Sequence, residues 1–326
     1  MSIVEAPPAT LPLLLEEVEV AAVRRVSPSF VRLELAGPAL AELGPDGPLL
    51  DQRFKLLVPA PGAALPDLRS AGADWWTAFQ RLPERERGTL RTYTIRDRVG
   101  EGAATRLQVD VVVHADDAHE PGPGCRWALA ARPGDRALVL APRRGHDFGG
   151  IEWAPGTAEH LVLAGDETAL PAIRGILRGL PADARGAAVV ELPLTADVPT
   201  DVVAPAGIAL TWLPRDGAAR GAALHAAVLA EIGAAAAVTA EVAAPPSVDD
   251  DEVDPDLWET PAFSSSGEPL APAAPSGDRA GDVYAWIAGE SRVVTGLRRA
   301  LVNDLGLPRS QVAFMGYWRE GVAMRG

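Results

Sequence analysis

Hydrophobic and polar positions alternate along the first half of the chain and gather into blocks along the second. Val31, Leu33 and Leu35 interleave with Arg32 and Glu34; Phe54, Leu56 and Val58 flank Lys55; Val109, Val111 and Val113 interleave with Asp110, Val112 and His114. Successive side chains of an extended chain point to opposite faces, so these runs predict half-buried strands. Stretches rich in Pro and Gly, such as PAPGAALP and RPGD, separate them and predict turns. The first half therefore reads as a small antiparallel β-barrel.

From about Glu152 the period changes. LVLAG (161–165), AAVVEL (187–192), IALTWL (208–213), YAWIAG (284–289) and VAFMGYW (312–318) are short apolar runs with helical patterns between several of them. Leu170, Ile173, Leu177 and Leu180 fall on one helical face, as do Val294, Leu297 and Leu301. That alternation predicts a parallel sheet wrapped by helices, with a ligand site at the carboxyl ends of its strands. The expected division is a β-barrel domain over 1–150 and an α/β domain over 151–326. The run from 244 to 282, rich in Pro, Ser and acid, reads as a mobile insertion in the latter.

Composition narrows the chemistry. Acidic residues outnumber Lys plus Arg by 44 to 30, for a formal charge of −14, which argues against nonspecific binding to nucleic acid or anionic lipid. No run approaches the roughly 18 apolar residues of a membrane span, and the N-terminal stretch lacks a basic leader. The expectation is a cytoplasmic protein with no integral membrane segment. Cys125 is the only cysteine, so no internal disulfide or thiolate cluster can form, and redox chemistry would need a bound cofactor. Lys55 is the only lysine among 30 cations; it marks either a place where a slim ammonium is required or chance.

Two short stretches carry candidate chemistry. In RTYTIRD (91–97), Arg91 and Tyr93 would share one strand face and Thr92, Thr94 and Arg96 the other. An arginine suits a phosphate, a tyrosine suits a flat conjugated ring, and Thr94 can hydrogen-bond a ring nitrogen, which together meet the needs of a flavin. An exposed, Thr-rich barrel strand fits the same residues. GPGCRWA (122–128) follows a strand and opens a helical pattern, so its amides would cluster as an anion site. There Gly122 and Gly124 admit close backbone approach, and Trp127 packs either under a ring or into the core. A plain turn before a helix is the alternative.

In this order, Arg91-x-Tyr93-Thr94, His114, Gly122-Pro123, Trp127-Ala128, GDETALPAI (165–173), WIAGE (286–290) and GYWREG (316–321) resemble the siderophore-interacting proteins, a branch of the ferredoxin reductase-like flavoproteins. The resemblance spans nearly the whole chain apart from the acidic insertion. It implies a β plus α/β fold, a six-stranded-type FAD barrel followed by a nicotinamide-binding domain. It implies that Arg91, Tyr93 and Thr94 hold the FAD, that the turn bearing Gly122, Gly124, Cys125, Trp127 and Ala128 caps its pyrophosphate, and that His114 lines the adenine side or is a sheet histidine. Gly165, Asp166, Thr168, Gly289 and Glu290 would meet NADPH or NADH at the strand ends, the two glycines leaving space for it; Thr168 serves equally as a helix cap. Arg215 would pair with the extra phosphate of NADPH.

The implied activity is reduction of a ferric siderophore, an anionic iron chelate, by electrons passed from NAD(P)H through the flavin. Lys55 and Arg319 would form the basic surface that meets this substrate. A general flavin or ferredoxin-type reductase, and a siderophore carrier without catalysis, are the competing readings. APRRG (141–145) departs from the family by an alanine where Gly-Pro is usual.

Overall fold

The computed structural model describes residues 11–113, 121–239 and 283–321. His114 and the insertion at 244–282 lie outside the described residues.

The alternating half forms one antiparallel sheet of seven strands in the order β4-β3-β7-β1-β2-β6-β5. Its elements are β1 (Leu13–Ser27), β2 (Phe30–Ala36), β3 (Arg53–Val58), α1 (Trp75–Arg81), α2 (Glu84–Arg87), β4 (Thr89–Thr94), β5 (Asp97–Val99), β6 (Arg106–Val112), α3 (Pro123–Ala130) and β7 (Arg136–Pro142). The long strand β1 bends the sheet toward a half-barrel: Leu13–Glu19 pair with β7, Glu19–Ser27 pair with β2, and a register shift between Val20 and Ala22 lies within the second pairing. Inside lie Val31, Leu33, Leu35, Phe54, Leu56, Val109 and Val111, the residues that the period of two selects. Seven strands occur where six were expected, because the RTYTIRD run breaks after Thr94 and resumes at Asp97 as β5, paired with β6.

One part of this half was not legible as a pattern. The segment after β3 does not turn straight back; it carries α1 and α2, and its Leu68 and Phe79 cover the outer face formed by Leu15, Leu57, Leu90, Leu138 and Leu140. Hence β3 is buried on both sides at Leu56, Leu57 and Val58.

The second half is a five-stranded, all-parallel sheet in the order β10-β9-β8-β11-β12. It comprises β8 (His160–Gly165), α4 (Leu170–Gly179), β9 (Arg185–Leu192), β10 (Gly207–Pro214), α5 (Ala222–Thr239), β11 (Val283–Glu290), α6 (Ser291–Arg299) and β12 (Val312–Trp318). Strands with helices on both faces are buried on both faces, which is why they read as continuous apolar runs. Accordingly α4 closes one face through Ile173, Ile176 and Leu177, while α5 and α6 close the other through Val228, Ile232, Val294 and Leu297. Strand order reverses between β8 and β11, and in open parallel sheets the ligand crevice lies outside the carboxyl ends at such a point.

The two sheets meet at defined contacts. Buried Asp51 accepts from the amides of Glu152 (3.0 Å) and Trp153 and from the Trp286 indole N–H (3.0 Å). Gly175 of α4 lies against the Leu50 carbonyl so closely that a Cβ would collide with it. Asp197 accepts from Ser27 and from the amide and hydroxyl of Ser29. Arg178 donates to Asp97 (2.7 Å) and to the Arg96 carbonyl (2.8 Å). Among the described residues no helix is long and apolar enough to cross a membrane.

Candidate functional site

The alternation in RTYTIRD acquires a meaning on strand β4, which is an edge of its sheet. Arg91 and Tyr93 point to the face of their partners Leu56 and Phe54, and the Tyr93 and Phe54 rings lie 6.4 Å apart. The start of α3 is seated on this face. A Cβ at Gly124 would collide with the Tyr93 hydroxyl and lie 3.5 Å from Arg91 Cγ, so only glycine permits the approach. Burial pushes the Tyr93 phenol up to about 12, an effect the Arg91 charge opposes.

Arg91 is half-buried and donates to the Leu90 carbonyl at 2.8 Å. Burial holds its guanidinium below the ordinary value, and among the described residues no carboxylate forms an ion pair with it. The helix it faces begins at Gly122 with Pro123 in the first turn and no side-chain cap. Nothing among the described residues lies within 4 Å of where a Gly122 side chain would be. Arg91 is thus, among those residues, a cation with no carboxylate partner beside an uncapped helix start, an arrangement that accepts phosphate. Cys125 and Trp127 pack partly buried against the barrel core, and Ala128 is fully within it.

Thr92 and Thr94 occupy the other face. Lys55 Nζ donates to the Thr92 hydroxyl at 3.3 Å, and its ammonium is held below the usual lysine value by burial and by Arg53. Thr94 is buried beside Tyr317 of β12, whose hydroxyl is enclosed without a well-formed hydrogen bond. Arg319, two residues further, is partly buried with its Nε enclosed and unpartnered. The opening motif and the C-terminal motif therefore converge, with Thr94 between them.

The carboxyl edge of the parallel sheet behaves differently. Asp166, buried at the end of β8, accepts from the amide (2.8 Å) and hydroxyl (2.5 Å) of Thr168, the Glu290 amide (2.8 Å) and the Trp318 indole N–H (2.8 Å). It ties the ends of β8, β11 and β12 together. Burial, then the neighbouring Glu167 charge, raise its carboxyl to about 6 against the hydrogen bonds from Thr168 and Trp318. The Glu290 side chain caps α6 by accepting from the amides of Arg292 (2.8 Å) and Val293 (3.0 Å). At the two glycines expected to leave space for a ligand, the side-chain position is filled by the protein itself. A Cβ on Gly165 would strike the Ala288 carbonyl and Ala169, and one on Gly289, at φ 147°, would press into the Asp166 carboxylate at 2.8 Å. Their missing side chains are required by close packing of the protein on itself.

Arg215, expected to meet a phosphate, is committed to two carboxylates: it donates to Glu167 at 3.0 and 3.2 Å and to Glu191 at 3.2 Å. Arg220 adds a 3.0 Å contact to Glu167 and lies 4.4 Å over the Trp318 ring. Although burial raises Glu167, the two arginines outweigh it and hold its carboxyl below the usual range. Glu167, Glu191, Arg220 and Trp318 were missed in the sequence; the buried acid inside the apolar run AAVVEL was the available signal, since a charge there requires a partner. A cavity of about 630 Å³ lined by His160, Asp183, Arg185 and Gly207 opens at the opposite, amino-terminal edge.

Against this geometry, residues 19–146 match the model of the siderophore-interacting FAD-binding domain and residues 158–321 that of the siderophore-interacting protein. An uncharacterised protein of Mycobacterium tuberculosis is 32% identical over 62% of this chain; the match spans 65% of that relative's own length, just under two thirds. Ferric vibriobactin reductase ViuB of Vibrio cholerae is 24% identical over 91% of this chain and 86% of its own. The crystal structure of a siderophore utilization protein from T. fusca superimposes with a TM-score of 0.62 at 30% identity, covering 96% of this chain and 95% of that one. Arg91, Tyr93 and the start of α3 fit an FAD, with polar groups for its phosphates and an aromatic residue for its ring.

Proposed function

The chain belongs to the siderophore-interacting protein family, and from that premise we propose that it is an FAD-dependent reductase that takes electrons from NAD(P)H and delivers them to a ferric siderophore in the cytoplasm. The observation that carries this reading is the seating of the α3 start on Arg91 and Tyr93, permitted by Gly124. When bound there, FAD supplies the conversion between a two-electron donor and one-electron acceptors.

The chain's own residues bind and orient. Arg91 and the first turn of α3 neutralise the diphosphate. Tyr93, packed on Phe54 and fixed by Gly124, offers a rigid aromatic surface. Thr94 on the opposite face offers a buried hydroxyl at the junction with β12. Lys55, the single lysine, and Arg319 set positive charge near this junction in a protein of charge −14, which focuses an anionic chelate where the bulk field would repel it.

Iron in this reading is substrate. Hard anionic oxygen donors hold Fe(III) far more tightly than Fe(II), so reduction loosens the metal while the chelator survives. The test is anaerobic. The purified protein should be yellow, bleach with NAD(P)H, and recover its colour on addition of a ferric siderophore as Fe(II) is trapped by a ferrous-specific chelator. Bleaching without recovery by ferric chelates, but with recovery by a protein carrier, would move the assignment to a ferredoxin-type reductase.

A further inference from the structure

We propose that the buried cluster of Glu167, Glu191, Arg215 and Arg220 makes this chain select a dinucleotide lacking the 2′-phosphate, NADH over NADPH. The inference rests on the nicotinamide-donor reading above. It starts from position. Glu167 follows β8, Glu191 lies at the end of β9 and Arg215 follows β10, so all three occupy the carboxyl edge where a parallel sheet receives a dinucleotide. In such sheets an acid about 20 residues beyond the first strand's turn goes with a free ribose 2′-hydroxyl, whereas an unengaged arginine goes with a 2′-phosphate. Glu191 holds that acid's place in the sheet, but it is buried and its oxygens are taken by Arg215 and the Gly221 amide, so it acts on selectivity by engaging Arg215 and not by touching the ribose.

The arginine is not available on the same terms. Arg215 is shared between Glu167 and Glu191, whose side chains are 0% and 1% exposed. Glu191 is locked from a second side, because the Gly221 amide donates to both of its oxygens at 2.9 Å. Arg220 bonds Glu167 and spreads its face over Trp318. Two carboxylates and two guanidinium groups leave the cluster with no net positive charge, and Asp216, which accepts from Thr195, adds another acid at the same edge. A 2′-phosphate would have to draw Arg215 from carboxylates shielded from water and then sit beside them as a like charge. A 2′-hydroxyl brings no charge and needs no such exchange.

Titration calorimetry of the FAD-loaded protein with NAD⁺ and with NADP⁺ tests this without turnover. NAD⁺ is expected to bind at least about tenfold more tightly, the scale of one charge-assisted contact. Glu191→Gln, which keeps an acceptor for Gly221 but removes one charge, should strengthen NADP⁺ binding about fivefold while leaving NAD⁺ nearly unchanged. NADP⁺ binding as tightly as NAD⁺, or tighter, to the unaltered protein overturns the proposal and leaves the donor reading standing. An unchanged ratio in a folded Glu191→Gln protein also overturns it. Binding of neither dinucleotide to protein that retains FAD removes the donor reading and this inference together.

Discussion

The two halves of this molecule carry equally polar motifs and use them in opposite ways. At the barrel edge, among the described residues, Arg91 donates to a backbone carbonyl and pairs with no carboxylate, α3 starts without a side-chain cap, and nothing lies within 4 Å of a Gly122 side-chain position. At the edge of the parallel sheet, Asp166 accepts four hydrogen bonds, Glu290 caps its own helix, and Arg215 is held by two carboxylates. The glycines do not divide in this way: Gly124, Gly165 and Gly289 alike admit a close approach of the protein to itself, whereas Gly122 has nothing within 4 Å of its side-chain position among the described residues. A polar residue at a strand end is therefore a candidate ligand contact only when the protein leaves it unsatisfied.

The comparison can be broken most forcefully at Asp166. Asp166→Ala strands the Trp318 indole, the Glu290 amide and the Thr168 groups, and should lower unfolding free energy by about 4 kcal/mol in urea titrations. A loss below about 1 kcal/mol would mean these bonds do not organise the edge. A pH series sharpens the same point. The folded Asp166 carboxyl, at about 6, lies above the ordinary aspartate value of 3.8. Folded protein thus binds the proton more readily than unfolded protein. Relative to Asp166→Asn, stability should be lowest above pH 6 and rise as pH falls toward about 4, by at most about 3 kcal/mol. A flat difference between the two proteins would contradict the assigned ionisation.

On the barrel side the expected effects appear in binding. Gly124→Ala forces Tyr93 and α3 apart and should weaken FAD by about thirtyfold, roughly 2 kcal/mol, with the fold retained by circular dichroism. The smallest effect is at Lys55. Lys55→Ala should raise KM for an anionic ferric chelate about fivefold with FAD content unchanged, because it removes one partly buried charge from the proposed substrate surface. Unaltered kinetics would take Lys55 out of the site.

Much of this architecture was readable in the chain because periodicity reports burial. The period of two picked out the interior of β2, β3 and β6, and the apolar blocks located all five parallel strands. What stayed hidden depends on contacts distant in sequence. The α1 segment after PAPGAALP covers the barrel's outer face through Leu68 and Phe79, and neither shows a strong local pattern. Around the candidate site, RTYTIRD and GPGCRWA each suggested its own chemistry, but their meeting through Gly124 and Tyr93 required the fold. The motif GDET placed polar residues at a strand end, but sequence does not reveal that Asp166 accepts from Trp318, 152 residues away.

The most direct measurement is the affinity of FAD for the apoprotein, compared between the unaltered chain and Arg91→Ala, alongside the thermal unfolding of both without flavin. If the barrel edge is held open for the cofactor, the substitution should weaken FAD by at least about tenfold and leave apoprotein unfolding within about 2 °C of the parent. Equal FAD affinity in the two proteins, or an unaltered chain that takes up no FAD, would contradict the account at its centre.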